Sequence, residues 1–115
     1  MLLFDTTQLG LQRALAGAAA RQQAIATNLA NVNTPGYRRR DVNFEDALAS
    51  AFAGENSSAV ENAPLEIVPD LRAPMRADGS TTDVDTEAAA EARNGLQYQA
   101  ISAAIKARNQ ILRSA

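Results

Sequence analysis

Three stretches of this chain stand out by residue type and spacing, and two of them hold side chains that could do chemistry. Arg38, Arg39 and Arg40 form a run of guanidinium groups directly after Tyr37, and cations beside a stacking ring are the means by which a protein grips a phosphate backbone. Asp41, Glu45 and Asp46 follow closely, however, and Tyr37 is the only ring beside the run. Solvation, or salt bridges to a neighbouring subunit, suits these arginines better than nucleic acid. The second stretch, Asp78 to Glu87, reads DGSTTDVDTE and has the carboxylate density of a calcium loop. It lacks that loop's order of carboxylates before a glycine and a glutamate after it, so capping of a following helix explains its acids more simply. The chain has no His and no Cys, no glycine-rich phosphate loop and no Gly-x-Ser-x-Gly. The usual proton shuttles and nucleophiles are therefore missing, and only a carboxylate-only hydrolase survives as a formal option. The expectation is a protein that is not an enzyme, with no metal, no cofactor and no small-molecule substrate.

The third stretch, Ala26 to Tyr37, ATNLANVNTPGY, has a conformational rather than a reactive role. Asn33-Thr34-Pro35-Gly36 ends a long helical pattern. Pro35 lacks an N–H and clashes with the carbonyl four residues back, it pushes Thr34 out of the helical region, and Gly36 accepts positive φ. Asn28 and Asn31, just before the break, are read as turn-makers whose amides serve the last carbonyls.

Asn28-Leu29-Ala30-Asn31, two further residues, then Thr34-Pro35-Gly36-Tyr37, at the end of an N-terminal amphipathic helix, resembles the signature of the bacterial flagellar rod and hook proteins. Within that family, the short length, RRRDVNFEDAL after the turn and LQYQAISAAIKARNQILRSA at the C-terminus are most similar to the proximal rod subunits. The likeness covers Leu9 to Leu48 and Asp83 to Ala115. TTDVDTEAAAEA departs from it, standing where the family more often has an asparagine-rich lead-in and a Glu-Met pair. The resemblance implies a structural subunit that self-assembles through its terminal helices and carries torque from the membrane ring. Its implied partners are other rod subunits, the membrane-ring protein, the ring-to-rod adaptor protein and the flagellar type III export gate. It also implies a periplasmic place in the basal-body rod, reached from the cytoplasm without a cleavable signal peptide. The residues alone leave open a soluble helical adaptor of the export apparatus, and a small regulator that uses the arginine run.

Composition sets the limits within which these stretches must be positioned. Of 115 residues 46% are apolar, but only 4% are aromatic and none is Trp, so few large side chains are present to close a globule. A net charge of −2 provides no general field for nucleic acid or an anionic membrane. No run of about eighteen apolar residues occurs, so no direct membrane span is expected, and the N-terminus lacks a basic leader before an apolar core.

Leu11, Leu15, Ala18, Ile25, Leu29 and Val32 recur at heptad spacing and predict a helix from Asp5 to Val32 with N-cap chemistry at Asp5, Thr6 and Thr7. Gly10 and Gly17 weaken it, and alanines coat its other faces. Phe44, Leu48 and Phe52 predict a short helix from Asn43 to Ala53. Pro64, Pro69 and Pro74 preclude a helix through 54–82, where Leu65 and Ile67 could form a short edge strand or the segment could be disordered. A second long helix is expected from Asp83 to Arg113, with Tyr98, Ile101, Ile105 and Leu112 on one stripe and Leu96, Ala100, Ala103, Ala107 and Ile111 nearly opposite. One partner helix cannot cover both, so lateral packing among subunits fits better than an isolated hairpin. The expected fold is mainly α, an antiparallel coiled-coil-like pair of long terminal helices with an irregular, partly β centre. It divides into an N-terminal region, residues 1–53, a variable and flexible centre, residues 54–82, and a C-terminal helix, residues 83–115, that packs with the N-terminal one as an assembly domain.

Overall fold

The computed structural model describes residues 2–54 and 56–114, and side chains from Thr6 onward. Among them the order is α1 (Leu2–Ala30), β1 (Arg40–Val42), α2 (Glu45–Ala53), α3 (Ser57–Glu61), β2 (Ile67–Pro69) and α4 (Val84–Ser114). The two long helices lie antiparallel, as expected. Hydrogen bonds tie Gln8 to Arg108 at one end, then Ala18 to Asn94 and Gln22 to Glu91, and finally Asn28 to Glu87 at the other. The body is elongated, 58 × 26 × 15 Å, because a 31-residue helix has only one long partner to lie against.

On a second flank of α1 sits the small apolar core, where Val42 and Phe44 pack on Ala24 with Ala14, Ala20 and Leu65 around them. Full burial of Phe44 and Val42 contributes about 1.5–3 kcal/mol each. The helical glycines read as weak points are the places where rings approach the helix axis. A Cβ on Gly17 would stand 2.5 Å from the Phe44 ring, and one on Gly10 would stand 2.1 Å from the Phe52 ring. Phe44 itself precedes α2, which starts at Glu45 rather than Asn43.

β1 and β2 pair antiparallel with Arg40 opposite Pro69, Asp41 opposite Val68 and Val42 opposite Ile67. The centre of the chain is thus partly β, but it also holds the short helix α3 ahead of Pro64, where none was expected, because the prolines start only after it and Asn56 caps it; the strand starts at Ile67, two residues after Leu65, which packs against the core instead. Pro69 is tolerated because the strand ends there. The other edge of β1 is closed by side chains. Asn28 donates to the Arg40 carbonyl at 2.9 Å and accepts from the Arg40 N–H at 2.9 Å, imitating a neighbouring strand, while Arg21 takes the Val42 carbonyl.

Two expectations at the ends of α1 need correction. The helix starts at Leu2, so Thr6 and Thr7 lie inside it rather than at its cap, and the Thr6 hydroxyl meets that of Ser57 at 2.8 Å; the side chain of Asp5 lies outside the described residues. The helix also ends at Ala30, before Val32 and well before Pro35. The tightening begins at Asn31, whose N–H is shared between the carbonyls of Thr27 and Asn28 at 3.2 Å each, and Val32 already bonds only three residues back. Arg76 then takes the Val32 carbonyl at 3.0 Å, so the chain is drawn into the turn by a tertiary partner as well as by Pro35.

Candidate assembly site

The turn after α1 is met by a second turn from the far side of the chain. Gly36 has φ +76° and Gly79 φ +82°, and a Cβ on Gly79 would stand 3.4 Å from the Gly36 Cα, so the two glycines face each other. Gly36 N–H donates to Asp78 O at 3.0 Å, and Thr81 N–H donates to Tyr37 O at 2.9 Å. Arg76 spans both turns, reaching the Val32 and Thr82 carbonyls at 3.0 Å. Residues 76–82 are thus the counter-turn that holds the Pro-Gly turn in place.

Beneath these turns is a polar knot. Glu87 and Asn28 have no exposed surface. Arg39 Nε donates to Glu87 Oε1 at 2.7 Å, its Nη1 donates to Asp70 Oδ2 at 2.6 Å, and its main-chain N–H donates to Thr81 Oγ1 at 2.8 Å. Asn28 Nδ2 reaches Glu87 Oε2 at 3.2 Å, and the Tyr37 hydroxyl donates to Asn28 Oδ1 at 3.0 Å. One arginine therefore binds the segment after the turn to the central excursion and to α4. The Glu87 hydrogen bond holds the Arg39 guanidinium above its usual range against the opposing effect of burial, and Asp70 adds to it. Burial works against the Asp70 carboxylate, yet the Arg72 N–H and Arg39 keep it below 3.8. Burial pushes the Tyr37 phenol up, with the Glu87 charge adding to it. At the start of α4, Asp83 Oδ2 accepts from the hydroxyl and the N–H of Thr86, which caps the helix and lowers the Asp83 carboxyl.

These contacts revise the reading of individual residues. Asn28 is a tertiary clamp rather than a turn-maker; Asn31 does serve the turn, donating to Thr27 O at 2.8 Å and accepting from Thr34 Oγ1 at 3.2 Å. Arg39 is neither solvated nor free for another subunit, whereas Arg38 and Arg40 are exposed. Glu87 serves the knot rather than the helix dipole alone. Arg39, Gly79, Thr81 and Glu87 lie in the stretches singled out above but are not distinguished within them, and Asp70 and Asn94 do not stand out at all. A signal for two of them exists: Glu87, Asn94, Ile101 and Arg108 recur every seven residues, but the seam is polar in its first half and a search for apolar positions passes over it.

The remaining candidate residues divide by face. Ala18, Ile25 and Phe44 are buried; Leu11, Leu15, Leu29, Val32, Ile101 and Ile105 are half-buried; Ala30, Thr34, Pro35 and Gly36 are exposed. Along the outer stripe of α4, Ala103 and Ala107 are exposed, and Leu96 and Ile111 expose 69% and 62% of their surface. Tyr98 and Leu112 are also exposed, so of the inner stripe only Ile101 and Ile105 are half-buried. Among the described residues no three His, Cys, Asp or Glu side chains cluster as a metal site, and no helix is long and apolar enough to cross a membrane.

Residues 11–38, which span the α1 seam and the turn, match the family described as flagella basal body rod protein. The chain is 32% identical to the flagellar basal body rod protein FlgB of Escherichia coli K12, covering 90% of this chain and 90% of the relative. It is 35% identical to FlgB of Aeromonas hydrophila over 76% and 75% of the two chains, and 30% identical to FlgB of Bacillus subtilis 168 over 88% and 85%. The chain belongs to the flagellar basal body rod proteins, and within them to the FlgB family. It is a structural component of the flagellar basal body rod that interacts with other rod components.

Proposed function

We propose that this chain is a proximal rod subunit that self-assembles through its terminal helices and passes torque from the membrane ring to the rest of the rod. The observation that carries the reading is the uncovered outer stripe of α4, Leu96, Ala103, Ala107 and Ile111, which leaves large apolar side chains in water unless a neighbour covers them. Small residues on that stripe let helices approach closely, and a wall packed to the density of a protein interior resists deformation. The knot at the other end fixes the angle at which the central excursion leaves the helix pair, so each subunit presents its surfaces in one geometry. The membrane-ring protein, the ring-to-rod adaptor and the export gate are the further partners this role requires. Delivery through the flagellar type III export channel brings the chain to its periplasmic place.

The test is a deletion strain complemented with the tagged chain. The reading expects basal bodies that stop at the membrane ring in the deletion, restored rods and swimming on complementation, and the tag inside purified basal bodies. A tag found only with the cytoplasmic export machinery, with rods intact in the deletion, would make the chain an export adaptor instead.

A further inference from the structure

Three glycines lie inside the long helices, and two of them are accounted for within the chain by the rings of Phe52 and Phe44. The third is not. A Cβ on Gly95 would meet nothing within 4 Å, so no contact among the described residues calls for a glycine in the middle of α4, where it weakens the helix. Its missing side chain forms part of the wall of a groove of about 470 Å³ between α1 and α4, lined also by Ala19, Glu91, Asn94 and Tyr98. Asn94 is only 3% exposed, and its Oδ1 has no hydrogen-bond partner among the described residues. Among the described residues Glu91 is the one charged residue lining this groove, and Gln22 holds one of its carboxylate oxygens. The groove is therefore apolar and close to the backbone, and its polar groups include two acceptors.

The complementary surface is on the same helix. No acidic residue follows Glu91, while Lys106 and Arg113 do and Arg108 is held by Gln8 of α1, and Ala107 and Ile111 form an exposed patch with Gln110. We infer that the Gly95 groove receives the last turns of α4 from a second copy of this chain running parallel to it, with Ile111 against Gly95 and Ala19, and with Ala107 one turn earlier and Lys106 beside it at the level of Glu91. The inference rests on the rod-subunit reading and names the contact by which copies join. Gly95 and Ile111 are sixteen residues apart, which places them roughly 160° apart around the helix at 100° per residue. A subunit can then receive one neighbour and enter another at the same time. Such a contact is heterologous, the kind that builds rings and open helical files rather than closed dimers. With the two helices parallel, neighbours are offset by roughly 24 Å along the axis.

Because the chain has no Cys, cross-linking is clean. Gln99→Cys marks the groove and Gln110→Cys marks the entering patch, and both positions are exposed. In basal bodies from the deletion strain complemented with the variants, the double variant is expected to give a ladder with a short bis-maleimide, and co-expressed single variants a mixed dimer. Gly95→Leu added to the double variant should leave the isolated chain's helicity and melting temperature no lower. It should also cut the cross-linked fraction by about tenfold or more, the effect of losing one central contact. Cross-linking of Gln99→Cys to itself, or an undiminished ladder and normal swimming with Gly95→Leu, overturns the groove while leaving the rod reading in place. Absence of the unaltered chain from purified basal bodies overturns both.

Discussion

Glu87→Ala tests whether the buried knot holds this fold together. The substitution removes a fully buried carboxylate and leaves Arg39 Nε without its acceptor, while Asn28 Nδ2 loses one of its two acceptors and keeps the Arg40 carbonyl. Breaking a buried ion pair from one side costs about 3–5 kcal/mol. Arg39 keeps Asp70, whose side chain is a quarter exposed, so the retained pair and water access reduce the expected loss to about 2–4 kcal/mol. For a chain of this length total stability is on the order of 6–17 kcal/mol at best, and the small apolar core puts it toward the low end. The variant should therefore lose a large part of its stability in urea melts followed by circular dichroism. A double-mutant cycle separates the pair from other effects. Arg39→Met with Glu87→Leu replaces the charges by apolar groups of similar length, and should be less destabilised than the sum of the two single changes by at least about 1 kcal/mol. A loss below about 0.5 kcal/mol for Glu87→Ala, or strict additivity in the cycle, would refute the idea that these groups are desolvated and paired.

The glycines give a pair of opposite outcomes: Gly17→Ala should destabilise by about 1–3 kcal/mol because the Phe44 ring must move, whereas Gly95→Ala should stabilise by about 0.5–1 kcal/mol, both read by chemical denaturation. Gly36→Ala places a Cβ at φ +76° and should cost about 1 kcal/mol, with loss of the Thr81–Tyr37 hydrogen bond visible in amide exchange. Since the folded Asp70 carboxyl is held below its ordinary 3.8, its contribution is present above that value and is lost as pH falls through the lower folded value; Asp70→Asn should flatten this acid limb of a stability-versus-pH curve and leave neutral pH dependence unchanged.

Much of the frame was legible because helical periodicity, Pro-Gly punctuation and terminal charge all act locally. The apolar spacing of α1 and the Phe44, Leu48 and Phe52 stripe mark their elements without reference to distant residues, whereas the prolines of the centre hid the short α3 that precedes them. What escaped was tertiary and polar. Arg39 looks no different in sequence from Arg38 and Arg40, and only the approach of Glu87 and Asp70 singles it out. Asn28 reads as a turn-former because short amides usually are, yet here its amide faces inward and pairs with the Arg40 backbone. Likewise Gly10 and Gly17 look like defects until the two phenylalanine rings are seen against them. The counter-turn at Gly79 could be recognised as a turn, but nothing local says that it faces Gly36.

Whether the outer stripe of α4 joins subunits into a rod is decided by Ala107→Asp in the deletion strain. Ala107 is exposed, so the substitution should leave helicity, melting and export unchanged while placing a charge where a neighbour must pack. The expected outcome is secreted, folded protein, basal bodies without rods and no swimming. Normal rods and normal swimming with Ala107→Asp present in the basal bodies would contradict this role for the stripe.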